Sequence, residues 1–314
     1  MMLYVVFERQ GVCFASKVSD MSKIKKYLRN TVCSYFPGLF SKYKYWRLVG
    51  KKLDLRNPKG LDAKIMWLKL HTYKNNQLVT KCADKYAVRD YISDCGCSEI
   101  LNDLYGVWER AEDIDWDSLP SSFVLKCNHG CGYNLLCPDK NSINSQEAIN
   151  TLDQWMNEDF WLELAEIQYR NIPKRIICEK YLGDSLVDYK FYCFNGKPTY
   201  VLICVGRNGG QPSHVEGYED PKFFFFDRDW KMCKLTRDSL NCSEDFIIPK
   251  PANIEKMWET ADKLCRPFPF VRVDLYDVEG RIFFGELTFT PSAAMDTSRL
   301  PETDLLFGNL LTLK

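Results

Sequence analysis

Residues 271–290 read VRVDLYDVEGRIFFGELTFT, and the two apolar runs around Asp277-Val278-Glu279-Gly280 predict antiparallel strands over Val271–Tyr276 and Arg281–Thr290 joined by a turn. On such a hairpin Asp274 and Glu286 can face the same side, within reach of a shared cation. Their neighbours Val271, Val273, Leu275, Ile282, Phe283, Phe284 and Leu287 are apolar, so each carboxylate needs a cation or hydrogen-bond donors to stay charged. Mg2+ takes one or two carboxylates and completes its shell with phosphate oxygens and water, so this pair suffices. The plainer alternative is a pair of ordinary strand carboxylates facing solvent.

Upstream, FVLKCNHGCGYN (123–134) predicts a strand, a loop over Asn128–Tyr133 and a return strand over Asn134–Cys137. Backbone N–H groups of a glycine-rich loop can approach phosphate oxygens closely, and Lys126 supplies a point charge beside them. The pattern matches neither GxxxxGK[ST] nor GxGxxG, and it precedes a strand where those precede a helix. A solvated hairpin tip is the competing account. A third constellation, Glu179-Lys180-Tyr181-Leu182, ends a predicted strand over Arg175–Leu182, with Asp188 and Lys190 soon after. A strand stopping between two lobes can offer backbone groups to an adenine edge and an acidic side chain to ribose hydroxyls.

Between these stretches the periodicity predicts helices over 61–70, 85–95 and 145–170, a strand and its exit over 98–110, and an acidic linker over 113–120. Residues 188–205 hold two strands turning at Asn195-Gly196, a strong hairpin signal. Strands arrive as antiparallel hairpins with helices between them, so the expected class is α+β in two or three lobes.

The 314 residues are 46% apolar and 14% aromatic, which excludes a disordered chain. Lysine plus arginine and aspartate plus glutamate both number 42, so nucleic acid is not an expected partner. The balance is uneven: through Gly60 thirteen basic residues face only Glu8, Asp20 and Asp54, with Tyr27, Tyr35, Phe36, Phe40, Tyr43, Tyr45 and Trp46 among them. That mixture suits an anionic membrane surface or an acidic-sugar partner, or else a solvated helix pair packed on the catalytic body. The first 50 residues are expected as short helices broken at Pro37-Gly38. There is no signal peptide or membrane-length apolar run, and the 14 cysteines read as reduced, which together point to the cytoplasm.

In order, NPKGLDAKIMWLKL (57–70), ADKYAVRDYI (83–92), FVLKCNHGCGYN (123–134), DYKFYCFNGKP (188–198) and GELTFTP (285–291) resemble the TupA-like family of the ATP-grasp superfamily, named for teichuronopeptide biosynthesis. The resemblance covers roughly residues 50–300. It implies an ATP-grasp fold, antiparallel sheets with helices in two lobes gripping ATP. The chain would divide into a basic helical segment (1–56), an N-terminal α/β domain (57–120), a subdomain with the glycine-rich lid (121–185) and a subdomain with the metal site (186–314). The implied activity is an ATP-dependent carboxylate–amine ligase working through an acyl phosphate. Its substrates would be an amine and a uronic or amino acid, in assembly of a surface polysaccharide at the inner face of the membrane, with a membrane-proximal glycan acceptor.

Carried over by position, Lys85 and Lys126 would hold phosphates, with His129, Gly130 and Gly132 in a lid over them. Glu179, Lys180, Tyr181 and Leu182 would form the adenine hinge, with Asp188 near the ribose and Lys190 facing phosphates or acceptor. Asp274, Glu286 and Thr288 would bind Mg2+, and Arg272 would steady charge at the reacting acyl group. Thr288 departs from the pattern, which usually has asparagine there. The alternative is a glycosyltransferase using a nucleotide sugar, through Asp113-Ile-Asp115 or Asp227-Arg-Asp229. A third reading is an ATP-binding protein without catalysis, or a phosphotransferase.

Overall fold

Two antiparallel sheets organise the chain in a computed structural model that describes residues 5–6, 23–183, 186–205, 221–243 and 246–313. The first sheet contains β1 (Val5–Val6), β2 (Leu104–Trp108), β3 (Phe123–Cys127), β4 (Asn134–Cys137) and β5 (Ile176–Lys180), in the order β1-β4-β3-β5-β2. The second contains β6 (Val187–Phe194), β7 (Lys197–Val205), β8 (Lys222–Phe226), β9 (Met232–Cys233), β10 (Phe270–Val278) and β11 (Arg281–Thr288), in the order β11-β10-β6-β7-β8-β9. The helices are α1 (Lys23–Tyr35), α2 (Pro37–Val49), α3 (Leu61–Leu70), α4 (Gln77–Ala83), α5 (Val88–Asp94), α6 (Ser145–Met156), α7 (Trp161–Leu164), α8 (Arg237–Asn241), α9 (Ile254–Cys265) and α10 (Pro301–Leu310).

The hairpin turns follow their sequences. Asn195 and Gly196 both take positive φ, 51° and 77°, the left-handed pair that a two-residue turn between twisted strands requires. Glu279 and Gly280 do the same between β10 and β11, at 52° and 83°. Asn76 and Asn144 start α4 and α6 by accepting the second and third backbone N–H groups of each helix.

In the first sheet, Phe123, Leu125, Leu135 and Ile176 pack under Ala148, Leu152 and Trp155 of α6. In the second, α9 buries Met257, Trp258, Ala261 and Leu264 at helical spacing against one face, where Phe191 meets Trp258 edge-on at 4.9 Å. On the opposite face Tyr192, Phe194 and Phe225 surround Phe307 of α10. That face also carries the polar residues of β6 and β10.

Helices α3 and α10 are bolted together by buried charge. Arg299 is ion-paired with Asp62, and Asp304 Oδ1 accepts the Asp62 N–H at 3.0 Å. Burial pushes the Asp62 carboxyl up to about 7 even though Arg299 pulls it down. Gly308 lets α10 approach this closely, since a Cβ there would lie 2.1 Å from Lys59 O.

Several expectations are corrected. The helix expected over 145–170 ends at Met156, because Asn157-Glu158-Asp159 breaks it and Ala165 turns left-handed, leaving short α7 and a 3-10 turn at Ile167–Tyr169. Residues 98–110 open with a 3-10 turn at Ser98–Ile100, and the strand starts only at Leu104. The stretch 113–120 is no free linker: Ile114 and Leu119 join the core of the first sheet. Strand β2 lies in the 57–120 segment, yet it pairs with β5 and so completes the sheet of the next. The break between the first two helices falls at Phe36, with Pro37 starting the second.

Candidate active site

Lys85, Arg89, Lys126 and Glu179 line a crevice closed on its far side by Phe284 and Gly285 of β11, so both sheets contribute to it. An adjoining pocket, which shares Lys85, Phe284 and Gly285 with the first, is lined by Tyr169 and Glu286. Gly285 is the extra residue of a bulge: Asp274 pairs with Glu286 while the next residue, Leu275, pairs with Phe284. A Cβ on Gly285 would sit 3.0 Å from Asp274 O, so glycine lets the strand kink here and turn Glu286 into the crevice.

On the side of the first sheet, Lys126 Nζ donates to Glu179 Oε2 at 2.7 Å, and Arg89 reaches Glu179 Oε1 at 3.3 Å. Two cations thus share one carboxylate, leaving positive charge in a cleft where polyphosphate can be bound. Arg89 was missed from sequence, although it follows Lys85 by four residues in ADKYAVRDYI; the helix there begins only at Val88, and Lys85 stands in the turn before it. Asn102 was also missed. It accepts from its neighbour Asp103, donates to Lys180 O at 2.8 Å and gives its own carbonyl to Arg89.

The expected hinge therefore needs correction at Lys180. Its N–H goes to Asp103 O and its C=O to Asn102, so neither is directed to an adenine edge. Tyr181 and Leu182 follow at half-buried positions between the two sheets.

The glycine loop is rooted by Asn128, which donates to Asp84 Oδ1 at 2.8 Å and to Pro173 O at 2.9 Å and accepts from Arg175 N at 2.7 Å. Lys85 Nζ donates to Gly130 O, tying the turn before α5 to the loop. Gly130 lies flat against Phe160 and Tyr133, where a Cβ would collide with both rings, and Gly132 has φ of 81°. His129 is not at the phosphates as expected: it is 3% exposed, under α6, with Nε2 at 3.2 Å from Trp155 O. Burial, reinforced by Lys174 and Lys85, pulls its pKa down to about 4 and keeps the ring neutral.

The second sheet supplies the carboxylates. Asp274 is the direct partner of Glu286 on β11 and of Lys190 on β6, and Arg272 is the partner of Thr288. Arg272 Nε and Nη2 donate to the two oxygens of Asp274, each at 2.6 Å. The same Nη2 lies 3.0 Å from Glu286 Oε1 and 2.9 Å from Thr288 Oγ1. Three oxygens from three residues therefore converge on one positive atom. Lys190 Nζ sits 2.8 Å from Asp274 Oδ2 and 3.3 Å from Asp188 Oδ2. Burial would raise the Asp274 carboxyl, but Arg272 and Lys190 hold it below its ordinary range.

Three expectations shift accordingly. Arg272, 1% exposed, directs Nε and Nη2 to Asp274, Glu286 and Thr288 rather than to a reacting acyl group. Asp188 is 1% exposed and faces Lys190, so it belongs to this cluster rather than to a ribose-binding edge. Lys190, at 2% exposed, holds two carboxylates together instead of facing the cleft. Glu286, with 31% of its side chain exposed, is the member open to the crevice.

Asp274, Glu286 and Thr288 could offer Mg2+ hard oxygens, which here gather about the Arg272 guanidinium, and Glu286 is the one open to the crevice; among the described residues no group of three or more histidine, cysteine, aspartate or glutamate side chains comes together to hold a metal ion. Neither DxD pair offers an equivalent. Asp115 Oδ1 accepts Asp117 N, and Asp227 Oδ1 accepts Asp229 N and Lys231 N, so both cap tight turns. The thirteen cysteines among the described residues form no disulfide with one another, and no described helix is long and apolar enough to cross a membrane.

Solved structures similar to the chain include D-alanine–D-alanine ligase from Bacillus anthracis complexed with ATP, at 16% identity, over 81% of this chain and 69% of that one, with a TM-score of 0.43. D-Alanine–D-alanine ligase from Helicobacter pylori gives 12%, 82%, 70% and 0.42 for the same quantities. Phosphoribosylamine–glycine ligase from Thermotoga maritima gives 13%, 73%, 51% and 0.41. No curated protein matches the chain. The family described as TupA-like ATPgrasp matches residues 63–312, from α3 through the metal-side hairpin to the end of α10. With most of its length covered by that match, the chain belongs to the TupA-like ATP-grasp family.

Proposed function

We propose that this ATP-grasp enzyme joins a carboxylate to an amine through an acyl phosphate, in the assembly of a surface polysaccharide at the cytoplasmic face of a membrane. The carboxylate belongs to a uronic or amino acid, and the acceptor is a membrane-proximal glycan. The observation that carries the reading is a pair of adjoining pockets that share Lys85, Phe284 and Gly285, one lined by Lys126 and Glu179 of the first sheet and the other by Glu286 of the second.

The substrate carboxylate attacks the γ-phosphorus of ATP, the bond to the β-phosphate oxygen breaks, and ADP leaves. The amine then attacks the acyl carbon, phosphate departs, an amide remains, and the amine loses a proton. Neither step uses a side-chain nucleophile, so the enzyme's work is binding, alignment and charge neutralisation. Lys85 and Lys126 neutralise phosphate oxygens, with Arg89 holding Glu179 so that Lys126 keeps its place. Glu179, Tyr181 and Leu182 border the adenosine. Asp274, Glu286 and Thr288 would hold Mg2+, which when bound neutralises charge on the transferred phosphoryl group. Arg272 and Lys190 fix the carboxylates in the absence of metal and orient them for it, a positioning role supported by their burial.

The test is ADP release measured with a panel of uronic acids and amino acids, with and without amines. The reading expects release to need both partners, and hydroxylamine to trap a hydroxamate of the carboxylate. ADP release that ignores the amine, with a stable phosphorylated product, would make the enzyme a kinase.

A further inference from the structure

We propose that the outward face of α1 and α2 is a docking surface for an anionic lipid bilayer. Helix α2 buries Phe40, Ser41 and Tyr45 toward the body, where Phe40 and Cys33 of α1 pack on Trp161 and Leu162 of α7. That contact satisfies the need of a surface helix for one packed apolar stripe. Each helix also carries a row of exposed apolar residues at steps of three or four: Leu28, Val32 and Tyr35 on α1, and Leu39, Tyr43 and Trp46 on α2. Tyr35, Leu39 and Trp46 are 76%, 64% and 57% exposed. Apolar residues exposed singly are ordinary, but rows of them on two successive helices mark an interaction surface.

Charge decides the occupant. No aspartate or glutamate occurs between Asp20 and Asp54, and Lys26, Lys42, Arg47, Lys51 and Lys52 are exposed there. Two copies of such a face would repel each other, which disfavours a homodimer through it. An acidic surface is attracted, and each lysine or arginine near an anionic leaflet adds to binding. Tyrosine and tryptophan beside leucine, rimmed by lysine and arginine, match the polar–apolar boundary of a bilayer, into which a helix lying flat sinks its apolar row. The inference rests on the reading of a membrane-proximal acceptor and is independent of the ligase chemistry.

The full chain is sedimented with vesicles of phosphatidylcholine alone and of phosphatidylcholine mixed with phosphatidylglycerol, and the ATP-induced thermal shift is measured on the same preparations. The expected result is partitioning onto the anionic vesicles about tenfold or more above the neutral ones, weakened by salt. Leu39→Ser with Trp46→Ser, and separately Lys42→Gln with Arg47→Gln, are each expected to lower it by about tenfold while leaving the ATP response unchanged. The proposal is overturned if anionic vesicles do not bind the chain, or if neither variant weakens binding. It is equally overturned if these rows prove to join two copies, or if vesicles bind only after residues 1–22 are removed. Loss of the ATP response with vesicle binding intact would count against the ligase reading alone.

Discussion

Asp274 and Glu286 are direct partners across β10 and β11, and both reach the same nitrogen of Arg272, at 2.6 and 3.0 Å. Asp274 is closed in by Arg272 and Lys190, and Glu286 is the member open to the crevice, so the proposed Mg2+ site is tested at Glu286. Glu286→Gln retains an oxygen for Arg272 but removes one negative charge. The expected outcome is that ATP stabilises the variant equally with and without Mg2+, whereas the parent is stabilised more with Mg2+. Melting curves in matched buffers check this, and an undiminished Mg2+ effect would remove Glu286 from the site.

Lys126 is half-buried and its partner Glu179 is buried, but Arg89 also holds that carboxylate, so removing the lysine leaves Glu179 paired. A charge-assisted bond from the same lysine to phosphate is worth about 1.5–3 kcal/mol. Lys126→Met should therefore weaken ATP binding by roughly tenfold or more, with a melting temperature close to that of the parent. Calorimetric titration with ATP, alongside thermal melting, separates the two effects.

His129 links pH to stability. Its folded pKa of about 4 lies below the ordinary 6.5, so the unfolded chain takes up the proton first as pH falls. The stabilisation is fully present above about 6.5 and is lost progressively toward about 4, amounting to at most about 3 kcal/mol. His129→Gln should flatten this part of the stability profile. Denaturant unfolding at several pH values between 7 and 5 measures the slope, and an unchanged slope in the variant would assign it to other groups.

Arg299 is buried with Asp62, Asp296 and Asp304 around it. Removing one member of a buried cluster leaves uncompensated charge, at a cost of about 3–5 kcal/mol. Arg299→Met is expected to lose that much by denaturant unfolding. Adding Asp62→Asn should recover part of it, because Asp62 already has its carboxyl raised to about 7 and gives up its charge most readily.

What sequence made legible was local. Asn195-Gly196 and Glu279-Gly280 announce their turns through backbone preference, but the register those turns set would place Asp274 opposite Gly285, and only the bulge brings Glu286 across from it. The bulge at Gly285 and the gathering of Asp188 and Lys190 beneath Asp274 depend on strand register between distant segments, which no local pattern specifies. For the same reason Asn102 could not be seen taking up the Lys180 carbonyl, nor His129 turning under α6. Strand β8, KFFFF, lacks the alternation of a half-exposed strand because it is buried, and it was overlooked.

The central claim is that the crevice holds ATP through Lys126 on one sheet and Asp274 with Glu286 on the other. The most direct measurement is the melting temperature of the full chain with ATP and Mg2+, set against UDP- and GDP-sugars with Mn2+. A ligand bound only by the folded state at about a hundred times its dissociation constant adds about 2.7 kcal/mol of stability. The account predicts a clear upward shift with ATP and Mg2+, diminished in Lys126→Met and in Glu286→Gln, and none with the sugar nucleotides. A shift with sugar nucleotides alone, or an ATP shift that both variants retain in full, would contradict it.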